Sequence, residues 1–399
     1  VSKLKGYLSA CALAVLWANA ACAKPPHFSS LASFNNTNGA FPWAPLALGT
    51  DGNFYGTTQN GGTNTCSGGL SCGTIFTVTP AGTLTTLVNL DVATGDMPYA
   101  GLVQGANGNF YGVGSSGGNT SNPNFPGGMG TVFEVTPTGT LTVLHTFSFT
   151  DGANPIGGLM LASDGNFYGT TSEGGVGSLG TIFRLTPTGT LTTLWNFDYG
   201  QYGAYPTNAL VQTKAGDFYG TAFGGFSGAG VAYKLSANGH FKVVHQFNGT
   251  SDGGSPYAGL LVGADGNLYG ATENGGKYVA YGTIFKMTPT GHLKVLHNFD
   301  LTDGDVPNGK LLQGTDGNFY GTTAYGGTSP DWGTVFKLTP AGKLTTVHSF
   351  DLTDGAFVYA GLIQAPNGTL YGDTFGGGSS TACGAYGCGT VFSLTLDPK

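Results

Sequence analysis

The sequence predicts an all-β protein: a seven-bladed β-propeller with four antiparallel strands in each blade. Three observations predict it. A unit of about fifty residues recurs seven times. Each unit holds four short runs rich in β-branched and aromatic residues, bounded by Gly or Pro. The two ends of the chain hold complementary parts of the seventh blade.

The repeat is anchored by the motif DGNFYG, first seen at Asp51–Gly56, whose Tyr returns as Tyr55, Tyr111, Tyr168, Tyr219, Tyr269, Tyr320 and Tyr371. A second motif, GTIF or GTVF, leads to Phe76, Phe133, Phe183, Tyr233, Phe285, Phe336 and Phe392. A third, LTTLxxF, follows the first six of these, as at Leu191–Phe197. Each unit thus supplies a first strand beginning at a Gly-Leu pair (Gly101-Leu102-Val103), then NFYGTT, GTIFxLT and LTTLxxF. The Gly of DGN and the Pro-then-Gly order of TPxG mark tight hairpins between strands one and two and between strands three and four. Four strands in some fifty residues match one propeller blade.

Closure follows from the ends. Phe28–Phe34, FSSLASF, is a degenerate fourth strand that precedes the first unit, and the last unit stops at its third strand, Gly389–Leu396. The amino-terminal strand is therefore expected to complete blade seven and shut the ring, leaving no open sheet edge. Residues 24–399 form a single domain on this reading. Residues 1–23 read as a signal peptide: Lys3 and Lys5, an apolar run from Tyr7 to Ala18, then Ala21-Cys22-Ala23. The apolar run is too short to span a bilayer comfortably. No second such run exists, so no membrane insertion is expected.

The chain has 399 residues, of which 9% are charged, and a net charge of −7. Removing Lys3 and Lys5 with the leader makes the balance more acidic, which argues against nucleic acid or anionic lipid as partner. Cys66, Cys72, Cys383 and Cys388 remain after the leader, at equivalent places in units one and seven. Their spacings favour disulfides Cys66–Cys72 and Cys383–Cys388 over a zinc site, since neither pair has a two-residue spacer.

The run DGNFYGTT…GTVFKLTPxGxLTTLHxF resembles the GloVer tandem-repeat family of exported bacterial proteins, across residues 28–396. The resemblance implies a secreted, extracellular or periplasmic bacterial protein, commonly with a C-terminal sorting anchor; this sequence ends at Leu396–Lys399 with no apolar tail. It brings no established catalytic residues. The blade is also similar to NHL-type propellers, at the level of fold only.

Strand order places the two hairpins on one side of the ring and the longer, more varied connections on the other. Variable loops on a rigid frame are where binding sites concentrate. Two constellations fall there. Trp43, Tyr99, Tyr257 and Tyr359 stand just before the first strands, where other units have Ile156, Thr207 and Asn308. They are expected to surround the channel mouth, packing between blades and, as a candidate site, holding a sugar or other flat ligand. The second is acidic: Asp151, Asp252, Asp303, Asp305 and Asp354 in a recurrent TDG-type loop, with Glu173, Glu273, Asp331 and Asp373 in or beside neighbouring loops. Oxygen ligands suit Ca²⁺, but no unit has the spaced calcium pattern, and Asx-turn use is the favoured reading.

No catalytic residue is assigned. Five of the first strands have no titratable residue, and the other two have only Lys214 and Lys310 beside them. His145, His245, His297 and His348 repeat in the fourth strand and read as packing or surface residues. The expectation is a monomeric, cofactor-free binding module for an extracellular glycan or surface protein. The alternatives are a lyase, lactonase or glycan-cleaving enzyme using Glu173, Glu273 and Asp331, and a spacer with no ligand.

Overall fold

The computed structural model describes residues 26–198, 202–278, 280–328 and 331–396. The segment read as a signal peptide lies outside them. Among the described residues, 28 strands form seven four-stranded sheets, each running in chain order from the axis outward except the last. Blade one comprises Ala47–Leu48, Phe54–Thr58, Thr74–Val78 and Leu84–Asn89. Blade seven comprises Ile363–Gln364, Leu370–Thr374 and Thr390–Thr395, and its outermost strand is His27–Ser33. That strand pairs antiparallel with Thr390–Thr395, from His27 opposite Thr395 to Ser33 opposite Thr390. The ends of the chain therefore latch the ring as the sequence predicts.

Seven apolar clusters hold it, each between two consecutive blades, the pair formed by blades seven and one included. The FY pair explains this. Adjacent strand residues point to opposite faces, so Phe faces the preceding blade and Tyr the next. Tyr55 stacks on Phe110, Tyr111 on Phe167 and Tyr168 on Phe218, with ring centroids 4.0 to 4.2 Å apart. The Gly after each pair has a local cause too: a Cβ on Gly169 would lie 2.5 Å from the ring of Phe183.

The DGN turn is locked by its Asp. Asp51 accepts from the Asn53 amide (3.1 Å) with one oxygen and from the Tyr55 hydroxyl (2.8 Å) with the other, while Gly52 takes φ +83°. Asp164, Asp265 and Asp316 repeat the arrangement. In blade two Asn107 replaces the Asp, and Glu134 from the third strand accepts from Asn107, Asn109 and the Tyr111 hydroxyl instead. The disulfides Cys66–Cys72 and Cys383–Cys388 close loops between second and third strands, as expected.

Candidate functional site

A cavity of about 910 Å³ receives residues from all seven blades, which places it on the ring axis. Two tiers of equivalent positions line it. The outer tier is Trp43, Tyr99, Ile156, Thr207, Tyr257, Asn308 and Tyr359. The inner tier, two residues further along each blade, is Pro45, Gly101, Gly158, Ala209, Gly259, Lys310 and Gly361. The four aromatics singled out in the sequence thus share one cavity, each half-buried.

The outer tier is lopsided. On consecutive blades seven, one and two, Tyr359 stacks on Trp43 (4.1 Å, 11° between planes) and Tyr99 meets the indole edge-on (5.9 Å, 83°). Phe375 backs both Trp43 and Tyr359. Each phenol is tethered from the preceding blade: Gln59 Nε2 donates to Tyr99 (2.6 Å), and the Tyr325 and Tyr359 hydroxyls are 3.0 Å apart. Burial raises the pKa of Tyr99 and Tyr359 above the ordinary phenol value, so both keep their protons. Tyr257 sits apart from this arc, packed against Phe223. The rest of the lining is mixed: Asn154, Thr207, Asn208, Asn308 and Glu273 stand beside apolar residues such as Leu46, Met97, Ile156 and Leu159.

Among the described residues Glu273 is the one carboxylate in the lining. It accepts from Asn308 Nδ2 at 2.9 Å. Burial first, and then the neighbouring Asp305 carboxylate, push its pKa up to about 7. The other acids of the sequence constellation lie elsewhere. Glu173 accepts from Asn154 (3.4 Å), and Asp331 caps the Gly326 amide. Neither lines the cavity. Asp373 is not in a loop: it lies within the strand Leu370–Thr374, fully buried, with neither oxygen hydrogen-bonded. Thr57, Thr170, Thr221 and Thr322 occupy its position in other blades, each donating to a carbonyl of the next blade. Without such a donor, burial holds the Asp373 carboxyl protonated far above its usual range.

The TDG-loop aspartates and the repeated histidines, read separately in the sequence, are partners. His145, His245, His297 and His348 Nε2 lie 2.9, 3.0, 2.7 and 2.8 Å from Oδ2 of Asp151, Asp252, Asp303 and Asp354. The other oxygen of each Asp accepts from a turn amide, as at Ser148 (2.9 Å) and Asn248 (2.8 Å). Among the described residues no group of three His, Cys, Asp or Glu is placed to hold a metal ion.

Lys310 is the residue the sequence reading undervalued. Lys214, paired with it there, sits in a hairpin turn between a first and a second strand. Lys310 instead faces the axis, in a tier whose other members are Gly, Ala or Pro. Aligning the seven units column by column would have isolated it.

No curated protein matches the chain in sequence. Among solved structures, it superposes on the extracellular domain of a hybrid two-component system from B. thetaiotaomicron with a TM-score of 0.58 at 11% identity. That match covers 94% of this chain and 42% of the other, so this chain spans about two fifths of that protein's length. A fungal alcohol oxidase of the AA5 family, in complex with copper, gives 0.59 at 14% identity over 94% and 76%. A protein described as a 6-phosphogluconolactonase from Bacteroides uniformis gives 0.51 at 19% over 82% and 88%. Three such different proteins on one frame show a shared fold and no shared chemistry. The repeat itself is more specific. Residues 21–125, 120–329 and 279–399 match the Gloeobacter/Verrucomicrobia repeat, and the chain belongs to that family.

Proposed function

We propose that the protein is a secreted or cell-surface binding module that holds a saccharide in the mouth of its channel. The observation that carries this reading is the arc Tyr359–Trp43–Tyr99, half-buried on one side of a cavity of about 910 Å³ whose wall also carries the amide side chains of Asn154, Asn208 and Asn308. Sugars present an apolar C–H face and a rim of hydroxyls. An aromatic wall buries the first, and Asn and Glu side chains bond the second. The volume lies within the roughly 300–1,000 Å³ of small-molecule sites. Membership of the repeat family, two disulfides and the fold shared with an extracellular domain support a location outside the cytoplasm.

A glycan array probed with residues 24–399 tests the reading. Binding should appear and should fall at least tenfold in Trp43→Ala. Glycan binding that survives both Trp43→Ala and Tyr257→Ala places the ligand elsewhere. One observation favours enzymatic glycan or lactone cleavage as a second reading: Glu273, with its pKa raised to about 7, is suited to proton transfer near neutral pH. Turnover of a bound glycan that is lost in Glu273→Gln would replace the binding reading with that one.

A further inference from the structure

We infer that the channel takes an anionic saccharide, whose negative substituent is received by Lys310. The inference rests on the saccharide reading and narrows it to a chemical class.

The fold gives no reason for a lysine here. A Cβ on Gly101 would lie 2.5 Å from the Pro45 carbonyl, and one on Gly361 would lie 2.7 Å from the Lys310 carbonyl. Close approach of successive blades thus keeps the position small in these two blades, while a Cβ on Gly158 would meet nothing nearer than 3.7 Å. Lys310 departs from the Gly, Ala or Pro of the other blades and brings to the cavity the one cationic side chain among its described lining residues.

Nor does the protein supply it an anion. The lysines of third strands are each paired with an aspartate: Lys234 with Asp217, Lys286 with Asp265 and Lys337 with Asp316, at 2.6 to 2.9 Å. Lys310 has no hydrogen bond or ion pair among the described residues. Glu273 is already bonded to Asn308 and is drawn toward its neutral form. Lys310 is half-buried in the cavity wall; partial desolvation of its ammonium without a counter-charge is costly and lowers its pKa. A ligand that brings a carboxylate or a sulfate ester removes that cost. A neutral sugar does not. The aromatic arc in the outer tier then takes the apolar face of the ring, while the anionic group reaches inward to Lys310.

The test compares three tetrasaccharides by calorimetry: galactose, galacturonate and sulfated galactose. At least one anionic form should bind tenfold or more tighter than the neutral one, and which of them does so separates carboxylate from sulfate. Lys310→Met should bring all three within about twofold of each other. Lys310→Gly, which restores the residue of four other blades, should do the same if Met perturbs the throat. Trp43→Ala should weaken all three. Equal affinities in the wild type, or a preference that persists in both Lys310 variants, overturns the inference and leaves the saccharide reading standing. Anionic binding indifferent to Trp43→Ala keeps Lys310 and removes the aromatic wall. No binding of any of the three overturns both.

Discussion

The two faces of the ring treat departures from the repeat differently. On the hairpin face a lost side chain is replaced in blade two, though not in blade seven, where Asn367 takes the place of the turn Asp and the Tyr371 hydroxyl has no hydrogen-bond partner among the described residues. Where Asn107 takes the place of the turn Asp, Glu134 reaches across from the third strand to the same Tyr hydroxyl. On the channel side nothing compensates. Among the described residues Lys310, which stands where four other blades have Gly, has no partner, and Asp373 replaces Thr with both oxygens unpaired. Asp96 stands where Ala40, Ala153 and Ala204 stand in other blades, and one of its oxygens is unpaired as well, so burial raises its pKa to about 6. A compensated change marks a part the fold requires. An uncompensated one marks a part the fold tolerates.

The largest effect should come from the repeated layer. Phe183→Ala, between blades two and three and wholly buried, should cost about 3–5 kcal/mol in urea unfolding. Trp43→Ala, half-buried at the mouth, should cost less than half of that. Equal losses would erase the distinction between the faces. Next, Asp373→Thr should stabilise by about 1–3 kcal/mol at pH 7, because a hydroxyl replaces a buried carboxyl that lacks a partner. The sign follows from the raised pKa of the folded state. The unfolded chain loses this proton above its ordinary value of 3.8, whereas the folded chain must retain it. The gain should therefore shrink as pH falls from 7 toward about 4 and level off below that, where both states are protonated. A destabilised Asp373→Thr at neutral pH would mean that the carboxyl has a partner the fold needs.

Smaller again, His297→Ala removes the 2.7 Å contact with Asp303 and should cost about 1–2 kcal/mol. No change would make these contacts ornaments of the surface. The smallest effect is on pH dependence. The turn acids Asp51, Asp164, Asp265 and Asp316 have depressed pKa values, held down against burial by Tyr, Asn and, in two blades, Lys. Their contribution is fully present above the unfolded value of 3.8 and is lost as pH falls below it toward the folded value. Asp265→Asn should flatten that acid limb slightly, as followed by melting temperature.

The repeated part of the molecule was legible because period-2 strands and Gly turns follow local rules. DGN, FYG and GTIF each name a strand or turn, and FSSLASF opposite a missing fourth strand foretold the latch. The disulfides followed from spacing alone. The cavity was half legible: strand order brings Trp43, Tyr99, Tyr257 and Tyr359 to one end of the axis, and they share it. Lys310 escaped because a lone lysine beside Leu311 looks solvated until its column of Gly, Ala and Pro is known to point inward. The His–Asp contacts escaped because each partner repeats with its own motif, and nothing local shows that a fourth-strand ring meets the loop that follows it.

The sharpest test of the contrast between the faces is urea unfolding of Lys310→Gly beside the wild type. If Lys310 serves a ligand and not the ring, the variant is at least as stable as the parent. A midpoint lowered by an amount equivalent to about 1 kcal/mol or more would show that the lysine holds the throat together, and the distinction between required and tolerated positions would fail.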